Sequence, residues 1–551
     1  MTTLFDIYGF VSVVANGLAL VVQTLLLGSV SFALFVAAPL SADHMDEPIA
    51  ADLRRVLQVG ALASVVAVAA STALSAIVLA VSLGASWREV AGARFAIAAQ
   101  IKVLAAVWIG LVASFQPVLA VRSRIAIGVA ALVFLCASVS TSHSIARTDE
   151  SALLTFATGL HELGAALWLG GLPCLWLALH RVRRPLLATR IGVRYSALAI
   201  TGVAMIIGSA AVFSILYIGS LDAVYGTAYG AMVITKSVLF GILLLLGLLN
   251  FRAVRCFAVD TGAVERVRHF VEVEMGIGFA VLMAAASITS LPPAVDLVDD
   301  RLAWSDIATR MAPVAPRLVS PGHNSLALPA LQARLDTEAQ VARSEARPLA
   351  LVPGSDEAPP RNAYDIAWSE YNHHWAGLFL IAMGFAALTR RSGRVPWAKN
   401  WPLLFLLLAV FLFLRADPEV WPMGSVGLLE SLKDPEVAQH RIFEVLIVAF
   451  ALFEWGVSTG RVLSRRLARV FPLLMATAGT LLLTHSHALA NVKEELLVDL
   501  THLPIAVLGI VAGLARWLEV ETPRAAGRWA GWVWPTCFVA IGLLLLGYRE
   551  A

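Results

Sequence analysis

Imidazoles at short, regular spacings are the groups in this 551-residue chain best suited to chemistry. The stretch THSHALANVKEELLVDLTH (484–502) sets His485 and His487 two residues apart. It returns to His502 after a run of acids and one lysine. If a short turn joins two antiparallel helices there, His502 comes back beside the HxH pair. Three converging neutral imidazoles suit Cu(II), Zn(II) or Ni(II); polar residues that only cap helix ends are the competing reading. TSHSIARTDESALLTFATGLH (141–161) repeats the theme with His143 and His161, followed by Trp168-Leu169-Gly170-Gly171-Leu172. In YNHHWAG (371–377), His373 and His374 point about 100° apart on a helix, so at most one joins a given ligand set. In QHRIFE (439–444), His440 and Glu444 share a helix face. That pairing fits either an imidazole oriented by a carboxylate or a plain interfacial hydrogen bond.

Charged residues inside apolar runs form a second set: Lys102, Glu162, Lys236, Glu274, Glu444 and Glu454. Each is costly in lipid and is expected to face a bundle interior. They either pair to fix helix packing or serve as stations for a cation or protons. Glu444 and Glu454, on one helix, suit the second role. Lys236 and Glu274 lie on consecutive spans but at different depths. The four cysteines, Cys136, Cys174, Cys256 and Cys537, are far apart and include no CxxC pair, which argues against a disulfide framework or a thiolate metal site.

The elements that must position these residues follow from composition. The chain is 59% hydrophobic and 14% charged, and apolar segments of about 20 residues, enough to cross a bilayer core of about 30 Å, recur along it. The expected fold is all-α, a polytopic integral membrane helical bundle of about 14 transmembrane helices. The spans are read at 9–38, 56–83, 95–116, 121–142, 152–179, 195–219, 229–250, 270–291, 372–389, 401–415, 440–459, 468–485, 496–517 and 530–548. The tenth is short. The first is read as a span and not a removed signal, because no basic region precedes it. The organisation expected is an eight-helix bundle (1–291), an insert rich in Pro, Ala, Asp and Arg (292–370), and a six-helix bundle (371–551). The two histidine hairpins lie eight helices apart, an offset that preserves orientation and suggests a parallel internal repeat.

Basic loops at 180–194, 251–270, 389–399 and 461–469 alternate with poorly basic ones at 220–228, 416–439 and 486–495. The positive-inside rule puts the first group in the cytoplasm. Both termini and the insert then face outward, toward the periplasm in a bacterium. So do nine of the twelve histidines, all but His44, His180 and His269. No Walker A sequence, no DKTGT-like phosphorylation motif and no MxxxM stripe occurs, so ATP-driven pumping and a thioether channel are not expected. The chain is expected to be no enzyme and to bind no nucleic acid, and the lipid bilayer is an expected partner.

At these motifs the chain resembles the copper resistance protein D family. The resemblance rests on TSHSIA with LHELGAALWLGGL, on YGAMVITKSVLFGILLLLGLLNFR (229–252), on the Glu274 helix ending in LPP, and on NHHWAG and DPEVAQHR. LLLTHSHALANVKEELLVDLTHLPIAVLGIVAGLARWLEV, the most specific stretch, completes it. Together these cover most of the chain outside 292–370. The resemblance implies an inner-membrane protein linked to copper uptake, handling Cu(II) or Cu(I). It also implies a periplasmic copper-binding β-sandwich partner; the 292–370 insert is too short for such a domain, so the donor would be a separate chain. TSHS stands where the family commonly has Gly-His-Ala, which makes a ligand role for His143 less secure than for His485. Two alternatives to a transporter remain: a copper sensor or assembly factor without flux, and a b-type cytochrome with haem held by histidines on different helices. Imidazole must be neutral to bind a metal, so capture should weaken as the pH falls below about 6.5. Copper titrations of the purified protein across that range check this, and binding that holds at low pH would exclude imidazole capture.

Overall fold

The computed structural model describes residues 2–40, 47–142, 150–257, 260–322, 333, 336–337, 340–341, 363–417, 420–432, 435–484, 492–522 and 525–550. Helices dominate, as they must where lipid offers no hydrogen-bond partner to the backbone, and no β-strand occurs among the described residues. The chain divides into two compact units, one of Met1–Arg301 with Thr484–Ser486 and the other of Leu302–Leu483 with His487–Ala551. The division falls inside the expected insert. Arg301 stays with the first unit, donating to Asp222 Oδ2 (2.7 Å), Ser220 Oγ (3.1 Å) and the carbonyl of Ala294 (3.1 Å). Ser220 and the Arg301 guanidinium hold the Asp222 carboxyl below the usual carboxylate range. Beyond the boundary, Arg310 donates to the carbonyls of Arg549 and Glu550, within the second unit.

The first unit contains α1 (Thr2–Phe32), α2 (Glu47–Leu83), α3 (Arg94–Phe115), α4 (Val121–Val139), α5 (Ser151–Trp168), α6 (Leu172–Arg181), α7 (Pro185–Phe213), α8 (Ala228–Val254) and α9 (Thr261–Ile288). Helix α1 is its hub, packing against α2, α5 and α9. Helices α5 and α6 are one span interrupted by a 3-10 turn at Leu169–Gly171. Backbone crowding explains the glycines there. A Cβ on Gly170 would lie 2.0 Å from the carbonyl oxygen of Thr24, and one on Gly28 would lie 2.1 Å from the Gly170 carbonyl carbon. Small residues let α1 and α5 touch backbone to backbone, the usual source of helix affinity in a membrane.

The second unit contains α10 (Ala363–Arg391), α11 (Leu404–Arg415), α12 (Pro435–Ser458), α13 (Val470–Leu482), α14 (Val492–Glu521) and α15 (Ala525–Leu546). Helix α15 packs on α10 and α14, and α14 on α13. The same device recurs: a Cβ on Gly377 of α10 would lie 2.7 Å from the carbonyl oxygen of Gly542 on α15. A buried cluster around Trp401, Phe471, Trp534 and Phe538 fills the space between these helices.

All fourteen expected spans coincide with helices. Eleven helices among the described residues are long and apolar enough to cross a membrane, which makes the chain a multi-pass membrane bundle. Three expected spans fall outside that group: α10 and α12, which carry the polar residues His373, His374, His440, Arg441, Glu444 and Glu454, and α13, with 13 residues. The short tenth span is lengthened by a 3-10 helix at Pro396–Leu403 that leads into α11. Its steeper rise brings the pair to roughly 34 Å.

The glycine contacts make a direct prediction. Gly170→Val should destabilise the protein by about 3 kcal/mol or more, because a rigid backbone contact cannot relax around the added carbons. Gly208→Ala, with nothing within 4 Å of the added carbon, should change little. Thermal unfolding of both variants in detergent measures the difference.

Candidate functional site

Chemically capable side chains gather in two places in each unit. On α5, His161 and Glu162 are adjacent and therefore face different neighbours. His161 Nδ1 lies 2.9 Å from Ser209 Oγ on α7, with its ring 5.5 Å from that of Phe213. Lys236 on α8 is within electrostatic reach of it. Glu162 turns the other way: Gln23 Nε2 of α1 donates to Glu162 Oε2 (2.8 Å) and to Ser138 Oγ of α4 (2.8 Å). Lys102 on α3 is the countercharge that Glu162 feels. Gln23 and Ser138 went unnoticed in the sequence, although a glutamine inside an apolar span was a readable signal.

Deeper in the first unit, Glu274 on α9 is 2% exposed and accepts from Asn250 Nδ2 of α8 at 3.0 Å. Tyr195 on α7 lies nearby, its hydroxyl donating to the Trp168 carbonyl.

In the second unit, one cluster lies where α10, α14 and the residues after α15 meet. His374 is 4% exposed and has both ring nitrogens engaged: Nδ1 accepts from the Arg317 amide (2.7 Å) and Nε2 donates to the Tyr548 carbonyl (2.8 Å). That leaves no lone pair for a metal in this arrangement. His373 differs. Its Nδ1 donates to the carbonyl of Ser369 (2.8 Å), and its ring stacks on Tyr548 with centroids 4.0 Å apart. His502 of α14 gives its Nδ1 hydrogen to the carbonyl of Val498 (2.9 Å) and meets Tyr548 edge-on at 6.0 Å. These bonds set both rings in the tautomer with the lone pair on Nε2, the orienting contact that metal-binding imidazoles use. The two histidines feel each other electrostatically. Glu550 accepts from the Tyr548 hydroxyl (2.8 Å) and from Ser369 Oγ, fixing the platform between them.

The structure thus brings His373 and His502 to one tyrosine, the first stacked on its ring and the second edge-on. His143, His485 and His487 lie outside the described residues. Among the described residues no three His, Cys, Asp or Glu side chains come together as a metal-binding group.

The pairing of His440 with Glu444 expected from their spacing gives way to closer partners. His440 Nδ1 lies 2.8 Å from Asp417 Oδ1, while Glu444 accepts from Arg441 Nη1 (2.9 Å). The short Arg441 spacing wins because a guanidinium offers a charged donor whatever the pH. Glu454, fully buried, pairs with Arg516 of α14 at 2.6 Å, and Arg516 also holds Glu519 at 2.7 Å. Glu519 in turn accepts from Trp534 (2.7 Å) and Arg391 (3.1 Å). Arg441 and Arg516 were missed in the sequence; each is an arginine within a largely apolar helix.

Residues 189–288, which include Ser209, Lys236, Asn250 and Glu274, match the family model described as copper resistance protein D. The chain is also 35% identical over 161 residues to copper transport protein CutJ of Bacillus subtilis (strain 168). That alignment covers 29% of this chain and 29% of the relative, so the likeness spans less than a third of either. No solved structure matches the chain. The resemblance to the copper resistance protein D family is borne out by these matches.

The Glu454–Arg516 pair makes its own prediction. Arg516→Met strands a buried carboxylate and should destabilise the protein by about 3 to 5 kcal/mol, whereas adding Glu454→Leu should recover most of the loss. Unfolding midpoints of the two single variants and the double variant measure the coupling.

Proposed function

We propose that this multi-pass membrane protein transports copper, capturing the ion from the periplasm at the end where His373 and His502 both meet Tyr548 and passing it toward the cytoplasm. The observation that carries the reading is the pair of imidazoles on different helices. Each is locked by a hydrogen bond to the carbonyl four residues earlier, with Nε2 as the metal-binding nitrogen. Two imidazoles suit copper in either oxidation state and make half of a typical coordination sphere. In this reading His485 and His487, which precede α14 in the sequence, stand as further candidate donors, and His143, His161 and His440 as secondary imidazoles. The family match and the likeness to a relative named a copper transport protein support copper as the cargo.

The basic loops support an inner-membrane location with both termini in the periplasm, and a separate periplasmic copper-binding protein would serve as donor. Glu162, Lys236, Glu274, Glu444 and Glu454 are the polar groups along the bundle interiors that an ion or its coupling protons would meet. Their partners make Glu444 and Glu454 fixed points of packing in this reading, because each is held by an arginine.

His373→Ala with His502→Ala should weaken copper binding by at least about tenfold and lower copper accumulation by cells expressing the protein. Metal analysis of the purified variants, with an absorption spectrum and uptake into proteoliposomes, tests this. Unchanged binding would defeat the site. Binding without flux would make the protein a sensor or assembly factor, and a Soret band would make it a haem protein.

A further inference from the structure

Glu274 differs from the other carboxyls expected within the membrane. Glu444 and Glu454 each contact an arginine, and Glu162 has Lys102 within reach. Glu274 has no basic partner among the described residues, and its one hydrogen bond comes from the neutral amide of Asn250. The neighbouring elements offer it no cation. Helix α5 contributes Trp168 and α7 contributes Tyr195, whose hydroxyl is spent on the Trp168 carbonyl. On its own helix, His269 is held by Glu272 at 3.3 Å and by Glu265 at 3.9 Å. Lys236 stands about 21 Å along α8 from Asn250, and Arg252 is exposed.

A second observation points the same way. Asn250 is 8% exposed, and its Oδ1 is buried with no hydrogen-bond partner among the described residues. An orphaned amide oxygen beside an uncompensated carboxylate is doubly unfavourable in a low-dielectric interior. One proton relieves both faults. On the second oxygen of Glu274 it cancels the charge and gives that oxygen an O–H donor for Asn250 Oδ1. The amide Nδ2–H already donates to Glu274 Oε1, so acid and amide then each give and accept one hydrogen bond.

We propose that Glu274 and Asn250 form a buried proton-binding site between α8 and α9. Its ligand is a single exchangeable proton taken from water, which leaves hydroxide behind. The site lies within the segment that matches the family model, and it gives the first unit a group able to load and unload a proton inside the membrane. The assignment does not rest on copper as cargo.

Dicyclohexylcarbodiimide, an apolar reagent, tests the site on the full-length protein in lipid vesicles. The protonated carboxyl adds across a C=N bond of the reagent, and the adduct rearranges to an N-acylurea with no leaving group. Modification mapped by mass spectrometry at neutral pH should be at least about tenfold greater at Glu274 than at the arginine-paired Glu454. It should be lost from position 274 in Glu274→Gln, which keeps the hydrogen bond to Asn250, while any modification of Glu265 and Glu272 on the same helix stays unchanged. As a readout independent of reagent access, the infrared spectrum of the wild-type protein should contain a protonated-carboxyl C=O band that Glu274→Gln lacks. Equal modification of Glu454, or no such band, would overturn the assignment. Modification suppressed by sodium chloride but not by choline chloride would also overturn it, showing a metal cation as the occupant.

Discussion

A charge inside a bilayer has no water to answer it, so each ionised side chain must bring its own partner or lose its charge. That constraint runs through both units. Arg516 reaches across from α14 to Glu454 on α12, and Glu519 ties the same guanidinium to Trp534 and Arg391. Four helices are thereby fixed at one level by a network of charged hydrogen bonds, each stronger where water is excluded. Glu162 is met by the Gln23 amide of α1, which also holds Ser138 of α4, and Glu274 by an amide alone. The gradation from full ion pair to lone amide divides groups that hold the bundle from a group left with a choice of state.

Those contacts need helices close enough for side chains to reach, and the glycines provide it. Where Gly170 meets Thr24 and Gly28, and where Gly377 meets Gly542, backbones touch directly. Association in lipid depends on such dispersion contacts, because burying apolar surface gains little when the solvent is itself apolar. The Leu169–Gly171 turn adds a local effect. It breaks the fifth span just beyond Trp168, whose carbonyl takes the Tyr195 hydroxyl beside Glu274.

The histidine platform obeys a related rule. An imidazole donates from one nitrogen and accepts at the other, so the carbonyls of Ser369 and Val498 decide which nitrogen of His373 and His502 carries the lone pair. His374, one residue from His373, has both nitrogens committed to backbone groups and holds the chain after α15 in place. Adjacent residues thus have opposite fates, since a 100° turn of the helix places one against a tyrosine face and the other among backbone polar groups.

Much of this was legible in the residue order. Long apolar runs can only be helices in lipid, so composition and run length determined the all-α multi-pass class, the positions of the long helices and the polar residues that interrupt them. The YNHHWAG periodicity already set His373 and His374 about 100° apart on one helix. Spacing could not choose the partners. His440 and Glu444 fit the four-residue rule, yet each found a nearer group, Asp417 from the loop after α11 and Arg441 one turn away. The meeting of His373 with His502, the Arg516 bridge and the isolation of Glu274 join residues 24 to 129 positions apart. Side-chain pairing at that range depends on helix rotation and depth, which the one-dimensional pattern of apolar residues leaves open. Only packing of the helices against one another sets them.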